Sequence, residues 1–288
     1  MGTFSHSEVD TRNRCHRQWY YSYVMEIEPL KKSVALRRGT LGHIGLAAFF
    51  SSMKKGLPFD KCKKESLSSI TAEVASQPTD YLDVMADVTN SLGYFFEARP
   101  FDGWKVVAVE EEFSFSVSED FTIPVIVDLL IEDPYGDLWN VDNKFLYDFP
   151  SGVENDILPQ LALYAGVCRA NGYPVTRFAY SILRTRKMLE PSVENMYRFD
   201  EVYLTQARIE RTLLEHAIVA EQCYKDKQLP IETCSYLAIR CKQPRICNMC
   251  DMSALCLAEL SDHQPELVFN NFFKPRTRRI FKKEAGNE

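Results

Sequence analysis

Apolar residues recur every three to four positions through the first third of the chain, the spacing that places them on one face of a helix. The pattern predicts a helix over residues 7–24 that is capped by Ser7, a second helix over 34–55, and two more helices within 58–97. The expected buried face of the second helix includes Leu41, Ile44 and Ala48. The first third is therefore predicted to be mainly helical.

The middle of the chain changes to runs rich in Val, Ile, Phe and Trp that are separated by turn residues. Such runs predict β-strands, and the first three should form an antiparallel meander. The predicted strands cover residues 105–117, 122–131, 137–146 and 177–183, and the predicted helices cover residues 154–171 and 200–225. The helix before the last strand implies a right-handed crossover. After Pro230 the chain is expected to be irregular. The predicted class is α/β, a mixed central sheet with flanking helices.

The composition is that of a soluble globular protein, with 288 residues of which 45% are hydrophobic and 26% are charged. No cationic segment leads into an apolar stretch at the N-terminus, and apolar runs such as residues 46–50 are far shorter than the roughly 18 residues of a membrane span. We therefore expect a cytoplasmic protein, of a prokaryotic cell or of a virus-infected host cell, that has no membrane partner.

The net charge of −6 argues against a protein that coats nucleic acid without specificity, because such proteins neutralise phosphates with many Lys and Arg side chains. It is compatible with an enzyme whose clustered carboxylates hold a cation. Basic residues are concentrated near the start and in a C-terminal tail: Arg12, Arg14, Arg17, Arg37, Arg38, Lys274, Arg276, Arg278, Arg279, Lys282 and Lys283. The tail is either a solvated surface or a contact for nucleic acid.

The turn over residues 132–137 predicts a hairpin that places two acids opposite each other. If the hairpin is centred on Tyr135, residues whose numbers sum to 270 face each other, and Asp128 and Asp142 form such a pair. Opposed residues have Cβ atoms about 5 Å apart, so the two like charges need a cation nearby. Lys144 points to the same face as Asp142. A shift of the turn by one residue would break this pairing.

The alternative is that these acids are solvent-facing charges on the polar side of the sheet. That alternative fits poorly, because Asp128 is the only charged residue within the apolar run 123–131. An unpaired carboxylate in a strand buried on both faces is costly. A magnesium or manganese ion would remove this cost, since hard cations bind oxygen ligands.

Two stretches of the hairpin resemble the core motif of the RecB-like PD-(D/E)XK nucleases: Val127-Asp128-Leu129-Leu130 and Val141-Asp142-Asn143-Lys144. The resemblance implies a restriction-endonuclease-like core in which an acid and an acid-x-Lys set hold the metal and activate water. Val127 stands where the family name expects Pro, and Asn143 is unusually polar for its place in the motif. Neither departure removes a reacting group, because the middle residue of the triplet points away from the metal.

Two helical segments resemble further motifs of the family and occur in the family's order. The segment Gly39-Thr40-Leu41-Gly42-His43 is similar to the first motif, whose His contacts the metal. A lone His in an apolar helix is more often a packed core residue, so this role for His43 depends on the other motifs. Gln160 and Tyr164 match the Gln-x-x-x-Tyr motif and share one helical face. The resemblance implies that they line the active-site groove and help to position DNA.

The resemblance assigns a role to each reacting group of the expected site. The expected metal ligands for Mg²⁺ or Mn²⁺ are His43, Asp128, Asp142 and the backbone carbonyl of Asn143. Lys144 is expected to orient or deprotonate the attacking water. The expected contacts to the DNA backbone are Arg184, Arg186 and Lys187, which follow a predicted strand.

Nine cysteines in a chain without a secretory signal favour thiols or metal ligands over disulfides. Cys247, Cys250 and Cys256 are separated by two and five residues, a spacing typical of metal ligands. The fourth ligand must come from elsewhere, and Cys241 lies close in sequence. The remaining cysteines are expected to be buried small hydrophobes: Cys62, Cys168, Cys223 and Cys234.

The resemblance instead implies that Cys15 supplies the fourth ligand. Cys15 begins the segment Cys15-His16-Arg17-Gln18-Trp19-Tyr20-Tyr21, which is similar to the first helix of RecB-like nucleases with an iron-sulfur cluster, including those of bacterial recombination and of CRISPR adaptation. A [4Fe-4S] cluster with a structural role would then join the two ends of the chain. Zinc is the alternative metal.

The sequence thus predicts a metal-dependent DNA nuclease, with exonuclease as the expected mode, that acts on DNA that is single-stranded or has free ends. The alternatives are a non-catalytic nucleic-acid-binding module on a nuclease fold and a zinc-binding interaction protein. The sequence contains no Gly-x4-Gly-Lys-Ser/Thr loop, so any unwinding requires a separate helicase or recombination partner. We expect a helical region over 1–100, the nuclease core over 101–230, and the cysteine-rich region and basic tail over 231–288.

Overall fold

The computed structural model of the chain describes residues 2–117, 119, 121–150 and 159–277. The chain forms two compact units. The terminal unit comprises Met1–Lys32, Ser114–Val125 and Leu213–Glu288, and the central unit comprises Ser33–Phe113 and Ile126–Thr212. The three-part division expected from the sequence stays a prediction.

The helices and strands follow one another along the described residues in this order. The elements before the central strands are β1 (Gly2–Thr3), α1 (His6–Arg14), α2 (His16–Trp19), a π-helical turn (Tyr20–Val24), β2 (Ile27–Pro29), α3 (Val34–Lys54), α4 (Phe59–Ser76), α5 (Pro78–Tyr81) and α6 (Met85–Ala98). The next elements are β3 (Lys105–Ser116), β4 (Phe121–Glu132), β5 (Leu138–Leu146), α7 (Gln160–Ala170), β6 (Arg177–Arg184), α8 (Val193–Met196) and β7 (Tyr197–Glu201). The last are α9 (Gln206–Lys227), α10 (Ile231–Leu237), α11 (Pro244–Asn248), α12 (Ser253–Leu260), α13 (Pro265–Phe272) and β8 (Phe273–Pro275).

The central unit contains a mixed sheet, which confirms the predicted α/β class. Strand β3 pairs with β4, β4 and β5 are antiparallel, β5 and β6 are parallel, and β6 and β7 are antiparallel. Leu129 faces Val141 and Leu130 faces Asn140, so the register expected from a turn centred on Tyr135 is confirmed at these pairs. The first residues of the predicted helix 154–171 lie outside the described residues, and α7 is its described part.

Strand β7 was not expected from the sequence, and the predicted helix over 200–225 begins later, as α9 at Gln206. The prediction was wrong for Asp200 and Glu201, because both belong to β7 and pair with β6. Tyr197 and Phe199 alternate with charged residues over only five positions, and so short an alternation is easily merged with the helix that follows.

Helix α3 packs its apolar face into the core of the central unit. Ser33 caps the helix, since its side chain accepts a hydrogen bond from the backbone N–H of Leu36. The prediction that Leu41, Ile44 and Ala48 form the buried face of this helix is only partly correct. Leu41 is fully buried, whereas Ile44 and Ala48 are half-buried. The buried face of α3 consists of Arg37, Leu41, Gly42, Gly45, Leu46, Phe49, Phe50 and Ser52.

Gly42 allows α3 to approach strand β5 closely. A Cβ atom at position 42 would lie 2.3 Å from the ring of Phe145, far inside van der Waals contact. Phe145 is buried and belongs to the core of the central unit, so its ring has little room to move away. The next residue on the helix is His43, and the glycine therefore fixes how near His43 comes to the strand.

The terminal unit joins the beginning of the chain to its end. Strand β1 pairs in parallel with the first residues of β4, and β2 pairs antiparallel with β8, with Ile27 opposite Pro275. Glu259 of α12 accepts hydrogen bonds from Tyr21 (2.6 Å) and Arg240 (2.7 Å) and forms an ion pair with Arg17. Contacts between residues so distant in sequence hold this unit together.

The predicted single helix over 7–24 is interrupted in the structure. Ser5 rather than Ser7 caps α1, and Cys15 breaks the helix because its backbone is extended, with φ of −160° and ψ of 110°. The break brings residue 15 to the segment near residue 240, where the Cys241 N–H donates to the Cys15 sulfur (3.3 Å). After Pro230 the chain is not irregular but forms short helices. Pro244 is the first residue of α11 and Pro265 is the first residue of α13. At the first position a proline starts a helix instead of ending it.

None of the helices in the described ranges combines the length and the apolar character that crossing a membrane requires.

We predict that Gly42→Ala lowers the free energy of unfolding by about 1–3 kcal/mol, because the added methyl group overpacks the contact with Phe145. Gly39→Ala on the same helix is the matched control. A Cβ at position 39 meets no atom within 4 Å, so this change should stabilise the helix by about 0.5–1 kcal/mol. Urea unfolding of the two variants measures both effects. Equal stability of the two variants would contradict the close approach of α3 to β5.

Candidate active site

Helix α3, strand β3, the β4–β5 hairpin and helix α7 bring the expected reacting groups together within the central unit. The Asn143 backbone N–H donates to Oδ2 of Asp128 (2.8 Å), which fixes that carboxylate beside the next strand. Asp142 lies on β5 and is 2% exposed, so its charge is almost entirely removed from water. The two carboxylates therefore lie on adjacent strands at neighbouring positions, as the β4–β5 register predicts.

The Asp142 carboxylate is held by a lysine and a glutamine. Lys144 Nζ lies 2.7 Å from Asp142 Oδ2. Gln160 Nε2 donates to Asp142 Oδ1 (2.8 Å), and Gln160 Oε1 accepts from Lys144 Nζ (2.7 Å). The same Gln160 amide donates to the hydroxyl of Tyr164 (3.2 Å) one helical turn later. The Gln-x-x-x-Tyr segment thus contacts the acid-x-Lys segment directly.

A second group of side chains lies on the other side of Asp128. Ligand atoms of His43, Glu110 and Asp128 all lie within 4.8 Å of one another. His43 Nδ1 is 3.5 Å from both Glu110 Oε1 and Asp128 Oδ2. One imidazole nitrogen with carboxylate oxygens is a donor set that suits Mn²⁺ and Mg²⁺. The residues present therefore fit a divalent cation.

Glu110 was missed by the sequence analysis. It lies in the middle of β3, yet its φ of 47° places it in the left-handed region that residues other than glycine rarely adopt. Such a conformation costs on the order of 1–3 kcal/mol and is found mostly at functional sites. The signal in the sequence is the run Glu110-Glu111-Glu112 inside a strand, where alternation alone does not show which carboxylate faces the site.

The pKa values at the site reflect burial together with the charges of neighbouring groups. Burial raises the pKa of Asp128 to about 7, although the neighbouring His43 opposes the rise. Burial lowers the pKa of His43, but Asp128 and Glu110 outweigh it and raise that pKa to about 9. Burial and the charge of Asp142 raise the pKa of Tyr164 well above its usual range. Negative charge is therefore in excess at this site, as expected for a place that receives a cation.

The expected DNA contacts lie beyond the carboxyl ends of β5 and β6. Arg184 ends β6, and its guanidinium donates to Asp148 (2.5 Å) and to the backbone carbonyl of Asn195 (2.7 Å). Arg186 is half-exposed and also pairs with Asp148 (3.1 Å). Lys187 is exposed. In the C-terminal tail, Arg278, Arg279, Lys282 and Lys283 lie outside the described residues.

Five cysteines of the terminal unit lie near one another. The Cys15 sulfur accepts from the Cys241 backbone, and the Cys247 thiol donates to the Cys241 carbonyl (3.4 Å). Burial raises the pKa of Cys250 to about 11, and its neighbours Cys15 and Cys256 add to the rise. The cysteines without metal-ligand spacing are buried, as expected: Cys62, Cys168, Cys223 and Cys234.

Comparison with known proteins identifies the family. Residues 3–257 match the family described as the PD-(D/E)XK nuclease superfamily. The chain belongs to this family. The expected nuclease fold is thereby confirmed, and the assignment of Asp128, Asp142 and Lys144 to the family's core motif stays a prediction. No curated protein sequence matches the chain.

One solved structure shares this fold at low sequence identity, and a second is less similar. A protein described as a "Putative exonuclease" from Eubacterium rectale is 13% identical, with a TM-score of 0.52, and the match covers 99% of this chain and 94% of that one. A protein named SSO0001 is also 13% identical, with a TM-score of 0.38, over 89% of this chain and 86% of that one. At such identity the first likeness supports the fold alone.

We predict that Glu110→Gln weakens the binding of Mn²⁺ by about tenfold or more, because it removes one anionic ligand from the group with His43 and Asp128. Glu111→Gln is the matched control, since Glu111 is the exposed neighbour on the same strand. Isothermal titration with Mn²⁺ measures both affinities. If Glu110→Gln binds Mn²⁺ as tightly as Glu111→Gln does, Glu110 is not a ligand.

Proposed function

We propose that this PD-(D/E)XK nuclease is a deoxyribonuclease that depends on Mg²⁺ or Mn²⁺ and works as an exonuclease. The observation that carries the proposal is the contact of Lys144 with Asp142 beside Asp128, because it gives one site an acid pair and an ammonium group. The exonuclease mode is carried over from the sequence resemblance, and the protein described as a "Putative exonuclease" that shares the fold is consistent with it.

The chain's own side chains divide the work of phosphodiester hydrolysis. The metal would be held by His43, Glu110, Asp128, Asp142 and the backbone carbonyl of Asn143. When bound, it supplies polarisation of the scissile phosphate and acidification of water. Lys144, an ammonium ion paired with Asp142, orients the attacking water and balances charge that develops on the phosphate oxygens. Gln160 keeps the Lys144 ammonium next to the Asp142 carboxylate.

DNA positioning falls to residues around this centre. Gln160 and Tyr164 line the groove and help to place the strand to be cleaved, while Arg184, Arg186 and Lys187 contact the DNA backbone. The preferred substrate is DNA that is single-stranded or has free ends. Because the sequence lacks a nucleotide-binding phosphate loop, strand separation depends on a helicase or a recombination partner.

A non-catalytic nucleic-acid-binding module on the same fold is the weaker alternative. A module that only binds nucleic acid does not need the two acids and the lysine of a nuclease site, so mutations that replace them would not impair its function. Here Asp128, Asp142 and Lys144 are all present: Lys144 contacts Asp142, and the backbone N–H of Asn143 donates to Asp128. The buried carboxylate of Asp142 would be destabilising without the Lys144 ammonium group beside it, and the proposed role as a metal ligand explains why a charged pair lies at this buried position.

We also propose that Cys15, Cys247, Cys250 and Cys256 bind a [4Fe-4S] cluster with a structural role. The Cys15 sulfur lies beside the Cys241 backbone, and Cys15 and Cys256 both act on the Cys250 thiol, so these side chains share one neighbourhood. The resemblance to RecB-like nucleases with an iron-sulfur cluster supports iron and sulfide over zinc, and with it a nuclease over a zinc-binding interaction protein.

Lys144→Ala and Asp142→Asn should each reduce DNA cleavage by at least about 100-fold, because they remove the water-orienting cation and a metal ligand. Lys105→Ala is the control, since Lys105 is an exposed lysine of the same sheet. Cleavage of end-labelled linear and circular DNA, single- and double-stranded, with and without Mn²⁺, gives the rates. Near-normal cleavage by either site variant would refute the assignment of the hairpin, and cleavage of circular DNA would refute the exonuclease mode.

Cys15→Ala should give colourless protein with low iron and sulfide and an early melting transition. Closing a loop of nearly the whole chain is worth on the order of 5 kcal/mol by the loop-entropy estimate for disulfides. Cys241→Ala is the matched control and should stay brown, because our assignment takes the fourth ligand from Cys15 and not from Cys241. Iron and sulfide content and visible absorbance, compared between the two variants and the wild-type protein, test this prediction. Stoichiometric zinc without sulfide in the native protein would overturn the cluster.

A further inference from the structure

A group of aromatic and basic side chains lies where strands β5 and β6 end side by side. The two strands are parallel, and Leu146 at the end of β5 faces Arg184 at the end of β6. Tyr147 follows β5 directly, and Arg186 follows β6 by two residues. We call Tyr147, Asp148, Phe149, Arg184 and Arg186 the carboxyl edge. Its first residue, Tyr147, follows Lys144 by three residues, and three residues of extended strand span about 10 Å.

Most of the carboxyl edge is held in place by its own contacts. The Phe149 ring lies against two guanidinium groups, with Arg184 at 4.0 Å and Arg198 at 4.8 Å from the ring centre. Asp148 pairs with Arg184 (2.5 Å) and with Arg186 (3.1 Å). Both arginines are therefore pointed in fixed directions before any ligand arrives, which lowers the entropic cost of binding one.

Tyr147 differs from these residues because most of its surface is open to solvent. Its side chain is 64% exposed, and the Arg186 guanidinium is 5.9 Å from the ring centre. A single exposed tyrosine is common on protein surfaces. Here the exposed ring lies beside an oriented arginine and three residues from the lysine that we place in the active site. An aromatic face next to a cation is the combination that binds unpaired bases and their phosphates.

We propose that Tyr147 stacks on an unpaired base of the DNA strand being cleaved and that Arg186 contacts the adjacent phosphate, so that the carboxyl edge selects single-stranded DNA. This inference rests on the proposed nuclease function, whose substrate it specifies. Tyr147 becomes a specificity-determining residue, and Asp148 becomes a positioning residue that aims Arg186.

The charges around the carboxyl edge favour a single strand over a duplex. Arg184, Arg186, Lys187 and Arg198 are offset in part by Asp148, which pairs with two of them, and by Asp200, which lies 2.6 Å from Arg198. Binding to a duplex depends on many phosphate contacts, and the chain as a whole carries a net charge of −6. Stacking supplies affinity without added positive charge, but it requires a base whose face is exposed, which paired bases in a duplex do not offer.

Binding of fluorescently labelled oligonucleotides in EDTA tests this proposal without cleavage. We expect Tyr147→Ala to weaken binding of single-stranded DNA about tenfold, which is about 1.4 kcal/mol, and to leave duplex binding within about twofold of wild type. Tyr147→Phe should bind like wild type, because it keeps the ring. Tyr135→Ala is the matched control, since Tyr135 is 94% exposed in the turn at the opposite end of β5.

A second measurement locates the base. An oligonucleotide with a photoreactive pyrimidine should crosslink to the peptide that contains Tyr147, and Tyr147→Ala should abolish that product. Equal loss of single-strand and duplex affinity in Tyr147→Ala, or no loss at all, overturns the proposal. Equally tight binding of single-stranded RNA with the same dependence on Tyr147 overturns the assignment to DNA.

The outcomes also separate this proposal from the nuclease function. A protein that cleaves DNA while Tyr147→Ala binds single strands like wild type retains its proposed function and loses the stacking role. A protein that binds single strands through Tyr147 but cleaves none under any metal condition retains the stacking role and loses the proposed function.

Discussion

The β4–β5 hairpin holds Asp128 and Asp142 at neighbouring positions, and the repulsion between these carboxylates governs the groups around them. Two unit charges about 5 Å apart repel by on the order of 3 kcal/mol at an effective dielectric constant of about 20. His43 lies 3.5 Å from Asp128, and Lys144 lies 2.7 Å from Asp142. With Glu110 included, three carboxylates meet two cations. The side chains of the site therefore carry more negative than positive charge, and a bound divalent cation would neutralise the excess.

Which side chains of the candidate site are neighbours could be expected from the sequence, because local rules fix their geometry. A turn of known centre sets the hairpin register, and the strand period of two places Lys144 on the face of Asp142. Gln160 and Tyr164 are four residues apart in a helix, and this spacing places both side chains on one face. In each case a short segment determines which side chains are neighbours. The contact of Gln160 with both Asp142 and Lys144 joins two of these segments, and only the tertiary structure shows it.

The parts that the sequence did not predict depend on backbone conformations that side-chain patterns do not record. Glu110 faces the site through a positive φ, which breaks the alternation that strand prediction assumes. Cys15 interrupts its helix through an extended backbone that long-range contacts stabilise. After Pro230, the helices are five to eight residues long and so too short to show a periodic pattern, and neighbouring segments supply the stability that they lack alone. Tertiary context outweighs local preference at each of these positions.

The terminal unit depends on contacts between the beginning and the end of the chain, and such contacts must overcome the entropy of closing a very long loop. The β2–β8 ladder and the hydrogen bonds of Tyr21 and Arg240 to Glu259 already make this closure without a metal. Glu259 lies one helical turn after Cys256, so the same helix presents both the carboxylate and a proposed cluster ligand. A cluster at Cys15 and Cys256 would therefore reinforce a closure that protein contacts begin. The candidate reacting groups at the hairpin belong to the central unit and these cysteines to the terminal unit, and this division agrees with the structural role that we propose for the cluster.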